Sequence, residues 1–241
     1  MRVISWFSCG AASAVATVLA AIKYGDIHAV YCRVVEEHED NLRFLDDFTR
    51  VTGIPVETIM DEKSQGSIYN IFLKRKYLKD KYGAPCTTIL KRDMRKAYQR
   101  PGDIQVFGYT AEEQDRADRF IDANNDVKED FILLDNEIPK KDCYYYVRQL
   151  GIELPMMYRL GYNNNNCVGC VKGGMGYWNK IRVDFPDTFQ RMARTERLIN
   201  YALNKDKNGS VFLDELDPSR GNFKTDAPGD CGFTCELNTR G

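Results

Sequence analysis

Histidine is nearly absent from this chain. Two occur in 241 residues, His28 and His38, and neither stands at the spacing of a metal-binding pair. An excess of charge of either sign is lacking as well. The 34 basic and 35 acidic residues leave a formal net charge of −1, which excludes a generally basic surface for nucleic acid or anionic membrane and leaves only local patches. No run approaches the roughly 18 uninterrupted apolar residues that cross a bilayer, so no membrane partner is expected. The opening residues, Met1 to Ser8, carry one basic residue and then a strand-like run. They have neither the long apolar segment nor the small-residue cleavage site of a secretion signal. The expected location is the cytoplasm.

Cysteine is what the chain has in quantity, with eight residues. Without a secretion signal, that count points to metal or redox chemistry before disulfides. Cys167 and Cys170 form a CxxC pair, and Cys231 and Cys235 form a CxxxC pair near the end of the sequence. Cys32 and Cys143 lie in apolar or aromatic segments and read as small buried hydrophobes. A composition that is 43% hydrophobic and 29% charged is otherwise that of an ordinary globular protein.

Strand and helix signals alternate through the first 150 residues. Strands are expected at 3–8, 27–34, 54–60, 104–109 and 131–134, with helices at 13–24, 40–52, 67–82, 87–100 and 140–150. This rhythm predicts an α/β fold with a mostly parallel five-stranded sheet and helices on both faces. A loop-rich stretch follows Gly151, and a last helix is expected over 188–204. The expected organisation is a nucleotide-binding α/β domain over 1–204, including the CxxC segment, and a cysteine-containing tail over 205–241.

Between the first strand and first helix stands Ser8-Cys9-Gly10-Ala11-Ala12-Ser13. Parallel α/β sheets bind ligands at such carboxyl-end turns. Small residues let backbone N–H groups approach a phosphate, the helix N-terminus favours anions, and serine hydroxyls can donate to oxyanions. The alternative is an ordinary tight turn with a serine cap. The loop has neither the lysine of a Walker A motif nor the third glycine of a dinucleotide fingerprint. It resembles the PP-loop, S-G-G-x-D-S, of ATP pyrophosphatases and phosphoadenylyl-sulfate reductases: Ser8, Gly10 and Ser13 match, Cys9 replaces a glycine and Ala12 the aspartate.

Other segments extend the resemblance to the reductases. Met157 to Tyr162 leads into Asn166-Cys167-Val168-Gly169-Cys170, much as a Leu-Tyr and a Gly-Tyr precede G-C-x-x-C there. Cys86 lies about eighty residues upstream of Cys167, where the family places a Cys-Cys pair; Thr87 stands at the second place. Gly108 to Arg116 resembles a post-strand arginine-containing segment. Asp230-Cys231-Gly232-Phe233 resembles the E-C-G-L-H ending, with Thr234 and then Cys235 in place of the histidine. The resemblance implies an adenine nucleotide alpha-hydrolase-like fold and nucleotide binding (ATP, adenylyl sulfate or its 3′-phosphorylated form) at Ser8, Cys9, Gly10, Ala11, Ser13, Lys91, Gly108, Arg116 and Lys172.

It further implies a 4Fe–4S cluster on Cys86, Cys167 and Cys170, with the fourth iron open or held by a tail cysteine. Thiolates suit such clusters, and they suit zinc equally. The competing set is therefore a structural zinc on Cys167, Cys170, Cys231 and Cys235. The resemblance makes a sulfonucleotide reductase the leading expectation, with two alternatives after it. In a sulfonucleotide reductase Cys231, with Cys235 nearby, acts catalytically on the substrate sulfur, served by a thiol reductant such as thioredoxin. In a PP-loop ATP pyrophosphatase a three-cysteine cluster thiolates a nucleic acid or small molecule. The third is a non-catalytic nucleotide-binding module with structural zinc. A homodimer is compatible with each.

Overall fold

The computed structural model describes residues 1–80 and 83–231. The chain divides into two compact units, each assembled from separate stretches: Met1–Arg33, Glu39–Ile59 and Met94–Leu160 in the first, and Val34–His38, Met60–Asp93 and Gly161–Gly241 in the second.

The first unit is built on a five-stranded sheet of β1 (Val3–Phe7), β2 (His28–Cys32), β3 (Val56–Ile59), β4 (Ile104–Val106) and β5 (Lys128–Asp130). The order is β3-β2-β1-β4-β5, and every pairing is parallel. All five residues of β1 are buried, as expected for the central strand of a sheet covered on both faces. Its side chains alternate between two layers. Val3 and Phe7 join the core formed with helix α1 (Ala11–Tyr24), with Phe44 and Phe48 of helix α2 (Asp40–Thr52) and with Cys143 and Val147 of the helix Lys140–Gln149. Between them Ser5 Oγ bonds Thr17 Oγ1 of α1 at 2.8 Å. On the other face Trp6 packs edge-on against Tyr98 and donates through Nε1 to Gln105 Oε1 at 3.0 Å. Arg95, buried in that layer, donates to Gln99, Gln105 and Asn124. Burial pushes the Cys143 thiol up to about 12, in keeping with a core role.

The fifth strand is not where the apolar run placed it. Lys128–Asp130 forms the strand, while Ile132–Asp135 is a helical turn burying Ile132 and Leu133. A strand at the sheet edge presents one side to water, so polar residues suffice there. The Ile-Leu-Leu run instead covers the neighbouring layer.

The second unit packs the helices Ile68–Arg75, Met175–Asp184 and Pro186–Ile199 around Phe72, Leu78, Tyr177, Trp178 and Met192. A short hairpin of β6 (Asn204–Asp206) and β7 (Gly209–Val211) follows. Buried Glu196 ties the chain on both sides of it: one carboxylate oxygen accepts from the Leu203 N–H and the other from the Leu213 N–H, each at 2.6 Å. Gly221 is a position where only glycine fits. Its φ is +83°, and a Cβ there would lie 2.1 Å from the Gly176 nitrogen.

Candidate nucleotide loop and cysteine centre

The turn from β1 into α1 is organised by one hydroxyl. Ser13 Oγ accepts from the Ser8 N–H at 3.0 Å and from Ser8 Oγ at 3.1 Å, and donates to the Gly10 carbonyl at 2.9 Å. Cys9 lies in the left-handed region with φ +55°, a conformation in which glycine is unstrained and a side chain is not. The buried Cys9 side chain is absorbed by the core. Gly10 caps α1 without a side chain, and the first turn of α1 carries no acidic residue. The leading N–H groups of a helix have no partner within it, and with the helix dipole they favour an anion.

The strand order gives this turn its significance. β1 is followed by β2 on one side and flanked by β4 on the other, so the topological switch point lies between β1 and β4, where a crevice opens beyond the carboxyl ends. Gly108, just after β4, closes on the loop from that side. A Cβ at Gly108 would stand 2.8 Å from both the Cα and the nitrogen of Ser13 and 2.9 Å from the Ala12 carbonyl carbon. A Cβ on Gly10 would come 3.1 Å from the Tyr158 hydroxyl. Two glycines and a tyrosine thus bound a tight cradle of backbone.

Beyond Gly108, Thr110 and Glu113 form a capping box: the Thr110 N–H and hydroxyl both donate to Glu113 Oε2. Arg116 donates to the other oxygen of Glu113 and lies over the Tyr109 ring, 4.3 Å from its centroid.

The second unit carries Cys86, Cys167, Cys170 and Cys231. Cys167 and Cys170 are buried, and the turn between them needs Gly169: its φ is +79°, and a Cβ would meet Thr188 Cγ2 at 2.7 Å. The Cys170 N–H donates to the Tyr177 hydroxyl at 2.9 Å, and the Val168 N–H to the Glu36 carbonyl at 2.9 Å. Cys86 sits on the helical turn Pro85–Thr87, followed by a π-helical segment, Thr88–Asp93, that carries Lys91. Lys91 Nζ pairs with Glu37 Oε1 at 2.9 Å, both side chains buried.

Cys231 joins this group. Its sulfur lies 3.5 Å from Thr87 Oγ1 and its N–H donates to Asn166 Oδ1 at 2.8 Å. Asn166 also donates to the Gly229 carbonyl at 2.9 Å, Asn164 to the Pro228 carbonyl at 3.0 Å, and Lys172 Nζ to the Asp230 carbonyl at 3.2 Å. Burial lifts the Cys167 thiol well above its ordinary range; the charges of Glu37, Cys231 and Cys170 add to this, and Lys91 opposes it. Burial likewise lowers the Lys79 ammonium, against the pull of Cys170 and Glu196. Cys167 therefore ionises readily only when a cation supplies the missing positive charge, and a bound metal does that.

The residues singled out in the sequence fall into two sets. Ser8, Cys9, Gly10, Ala11, Ser13, Gly108 and Arg116 belong to the first unit; Cys86, Cys167, Cys170, Cys231, Lys91 and Lys172 belong to the second. Lys91 and Lys172 are engaged beside the cysteines, with Glu37 and with the Asp230 carbonyl. Cys235 lies outside the described residues. Among the described residues no three or more His, Cys, Asp or Glu side chains are arranged to hold a single metal ion. Cys86, Cys167, Cys170 and Cys231 are free cysteines, and cysteine sulfur is the donor that iron–sulfur clusters take.

Sequence reasoning did not assign Tyr158 to the loop, nor Glu37 and the asparagines 164 and 166 to the cysteine centre. Only the position of the asparagine run immediately before the CxxC signalled the last two.

No family model matches the chain, and no curated protein matches its sequence. Among solved structures it is similar to the U34-tRNA thiolase NcsA from Methanococcus maripaludis with its 4Fe–4S cluster, at 16% identity over 86% of this chain and 74% of that one, with a TM-score of 0.42. Likeness at that level does not carry the thiolase's activity over to this chain. Among the described residues no helix is long and apolar enough to cross a membrane.

Proposed function

We propose that the protein binds ATP through the Ser8–Ser13 loop and uses it to activate an acceptor, a nucleic acid or a small molecule, for sulfur insertion. In this reading Cys86, Cys167 and Cys170 hold an iron–sulfur cluster. The observation that carries the nucleotide site is the closure of Gly108 onto Ser13 at the β1/β4 switch point. It leaves a cradle lined by backbone, which suits phosphate and excludes bulkier side-chain recognition. Ser8, Gly10 and Ser13 would supply the phosphate contacts. Arg116, already on the post-β4 segment, would add positive charge.

Thiolation is preferred to sulfonucleotide reduction because of how Cys231 is held. Its N–H is engaged by Asn166 and its sulfur lies against Thr87, within the cysteine centre. A cysteine that must attack a nucleotide-borne sulfur has to reach the substrate, which these contacts oppose. A cluster held by the three remaining cysteines would supply thiophilic iron to which sulfide can bind.

The test is product analysis with protein prepared without oxygen. ATP pyrophosphatase chemistry releases AMP and pyrophosphate from ATP; sulfonucleotide reduction releases sulfite from adenylyl sulfate or its 3′-phosphorylated form. Sulfite without pyrophosphate would reverse the assignment.

A further inference from the structure

The stretch of chain that returns to the nucleotide loop within the first unit is held more firmly than its own secondary structure explains. The helix Met156–Arg159 has four residues, too few to be stable by itself. Its first N–H donates to Asp40 Oδ2 at 2.8 Å, and Arg159 reaches the other oxygen at 3.4 Å. Arg43 grips the same carboxylate through Nε and Nη2, at 2.7 and 2.9 Å. It also donates to the Glu153 and Leu154 carbonyls, at 3.1 and 3.4 Å. One carboxylate and one guanidinium in the first turn of α2 thus fix the chain on both sides of Pro155. The Arg43 bonds hold the Asp40 carboxyl down at about 2; burial opposes this, and the Met156 N–H and Arg159 assist it. The clamp is therefore charged throughout the neutral range.

What the clamp presents is Tyr158. Its ring packs on Tyr144 of the helix Lys140–Gln149, with 5.0 Å between centroids, and both rings lie against the core that includes α1. Its hydroxyl stands over Gly10, 3.1 Å from where a Cβ on that glycine would be. Gly10 is the N-cap of α1. A phenol hydroxyl is therefore fixed beside the helix end whose leading N–H groups favour an anion.

The turn itself gives a reason for a donor there. Ser8 Oγ donates to Ser13 Oγ, and Ser13 Oγ to the Gly10 carbonyl. Either serine must give up a bond inside the turn in order to donate to a phosphate. A hydroxyl arriving from another part of the chain leaves that internal set intact. A phosphate oxygen accepts, a phenol can donate, and a bond to a charged acceptor is about twice as strong as a neutral one.

We infer that the Tyr158 hydroxyl donates a hydrogen bond to a phosphate oxygen of the nucleotide on the Ser8–Ser13 loop, and that Asp40 and Arg43 position it for that contact. This rests on the nucleotide reading above and deepens it, adding a ligand from the segment that follows Pro155.

The experiment is calorimetric titration of ATP into the full chain and its Tyr158→Phe, Asp40→Asn and doubly substituted variants, with inorganic pyrophosphate as competitor for the phosphate site. Tyr158→Phe keeps the ring on Tyr144 and removes one donor. It is expected to weaken ATP and pyrophosphate by the same factor, about 10-fold to 100-fold. Asp40→Asn is expected to weaken ATP by less, and to have no further effect once Tyr158 is phenylalanine, because it acts through the hydroxyl.

Equal ATP affinity in Tyr158→Phe and the wild type would overturn the inference while leaving the loop in place. A loss for ATP with pyrophosphate affinity unchanged, or pyrophosphate that does not displace ATP from the wild type, would overturn the phosphate contact. Additive losses in the double variant would show that Asp40 acts on the fold alone and remove its positioning role. If Asp40→Asn does not fold, Tyr158→Phe decides by itself. A wild type that does not bind ATP at all would defeat the nucleotide reading on which the inference rests.

Discussion

Replacing Gly108 with alanine tests the geometry of the nucleotide loop with a single methyl group. The added Cβ would lie 2.8 Å from the Ser13 Cα and nitrogen and 2.9 Å from the Ala12 carbonyl carbon. Carbon atoms rest at about 3.5 Å or more, so the loop must retreat by about 0.7 Å. Every atom in the way is backbone and belongs to the start of α1, so no side chain can rotate aside. Overpacking of this kind costs about 1–3 kcal/mol.

The displaced atoms also frame the proposed phosphate site. Losing one hydrogen bond to a charged group costs about 1.5–3 kcal/mol, so ATP affinity should fall by roughly 10-fold to 100-fold. Isothermal titration calorimetry with ATP and urea unfolding of the same samples measure the two effects. Gly229→Ala serves as the control, since a Cβ there meets nothing within 4 Å. Lost stability with unchanged ATP affinity would confirm the packing and move the nucleotide elsewhere. No change in either would refute the close approach of β4 to the loop.

Glu196 should make the fold weaken with rising pH. Burial raises its carboxyl to about 7 from an ordinary 4.5, against the two N–H bonds from Leu203 and Leu213 that favour the charged form. A raised carboxyl stabilises the folded state below its ordinary value, and that contribution is lost as pH climbs through about 7. The loss amounts to about 3 kcal/mol. Glu196→Gln should flatten the urea midpoint between pH 5 and 8 relative to wild type; parallel profiles would show that Glu196 is ionised throughout. Asn166→Ala removes both bonds to the Cys231 segment, about 2 kcal/mol, so amide exchange at residues 229–231 should accelerate by about 30-fold with the amides of β1 unaltered. Unchanged exchange would mean that Asn164 and Lys172 hold the segment unaided.

How much of this was legible in the sequence depends on where each signal resides. Helix α2 could be bounded at 40–52 because Phe44 and Phe48 mark one face and Gly53, at φ +72°, ends it. β1 was legible as an unbroken apolar run, because a central parallel strand is buried on both faces. β5 was not. Its Lys-Glu-Asp sequence carries no strand pattern, and what makes it a strand is pairing with β4. The helix Met175–Asp184 was also missed, since Gly173 and Gly174 read as loop. Its buried Gly176, Tyr177, Trp178 and Ile181 blur the periodicity that marks a surface helix.

The functional residues divide in the same way. The loop was visible because strand, small residues and helix are contiguous in the chain. The contacts of Gly108 and Tyr158 with that loop arise from sheet order and chain return, which local patterning does not contain. The seat of Cys231 was hidden for another reason. Asparagines 164 and 166 belong to a run that looks like loop filler, and only tertiary folding shows their amides holding the chain beside the CxxC.

The most direct test of the central claim is calorimetric titration of ATP into the wild type and Ser13→Ala. Ser13 Oγ makes three hydrogen bonds that shape the loop. Their loss should weaken ATP binding by about 10-fold or more and lower the unfolding free energy by about 1–3 kcal/mol. Equal affinity in the two proteins, or no ATP binding by the wild type, would contradict the assignment of the Ser8–Ser13 turn as a nucleotide loop.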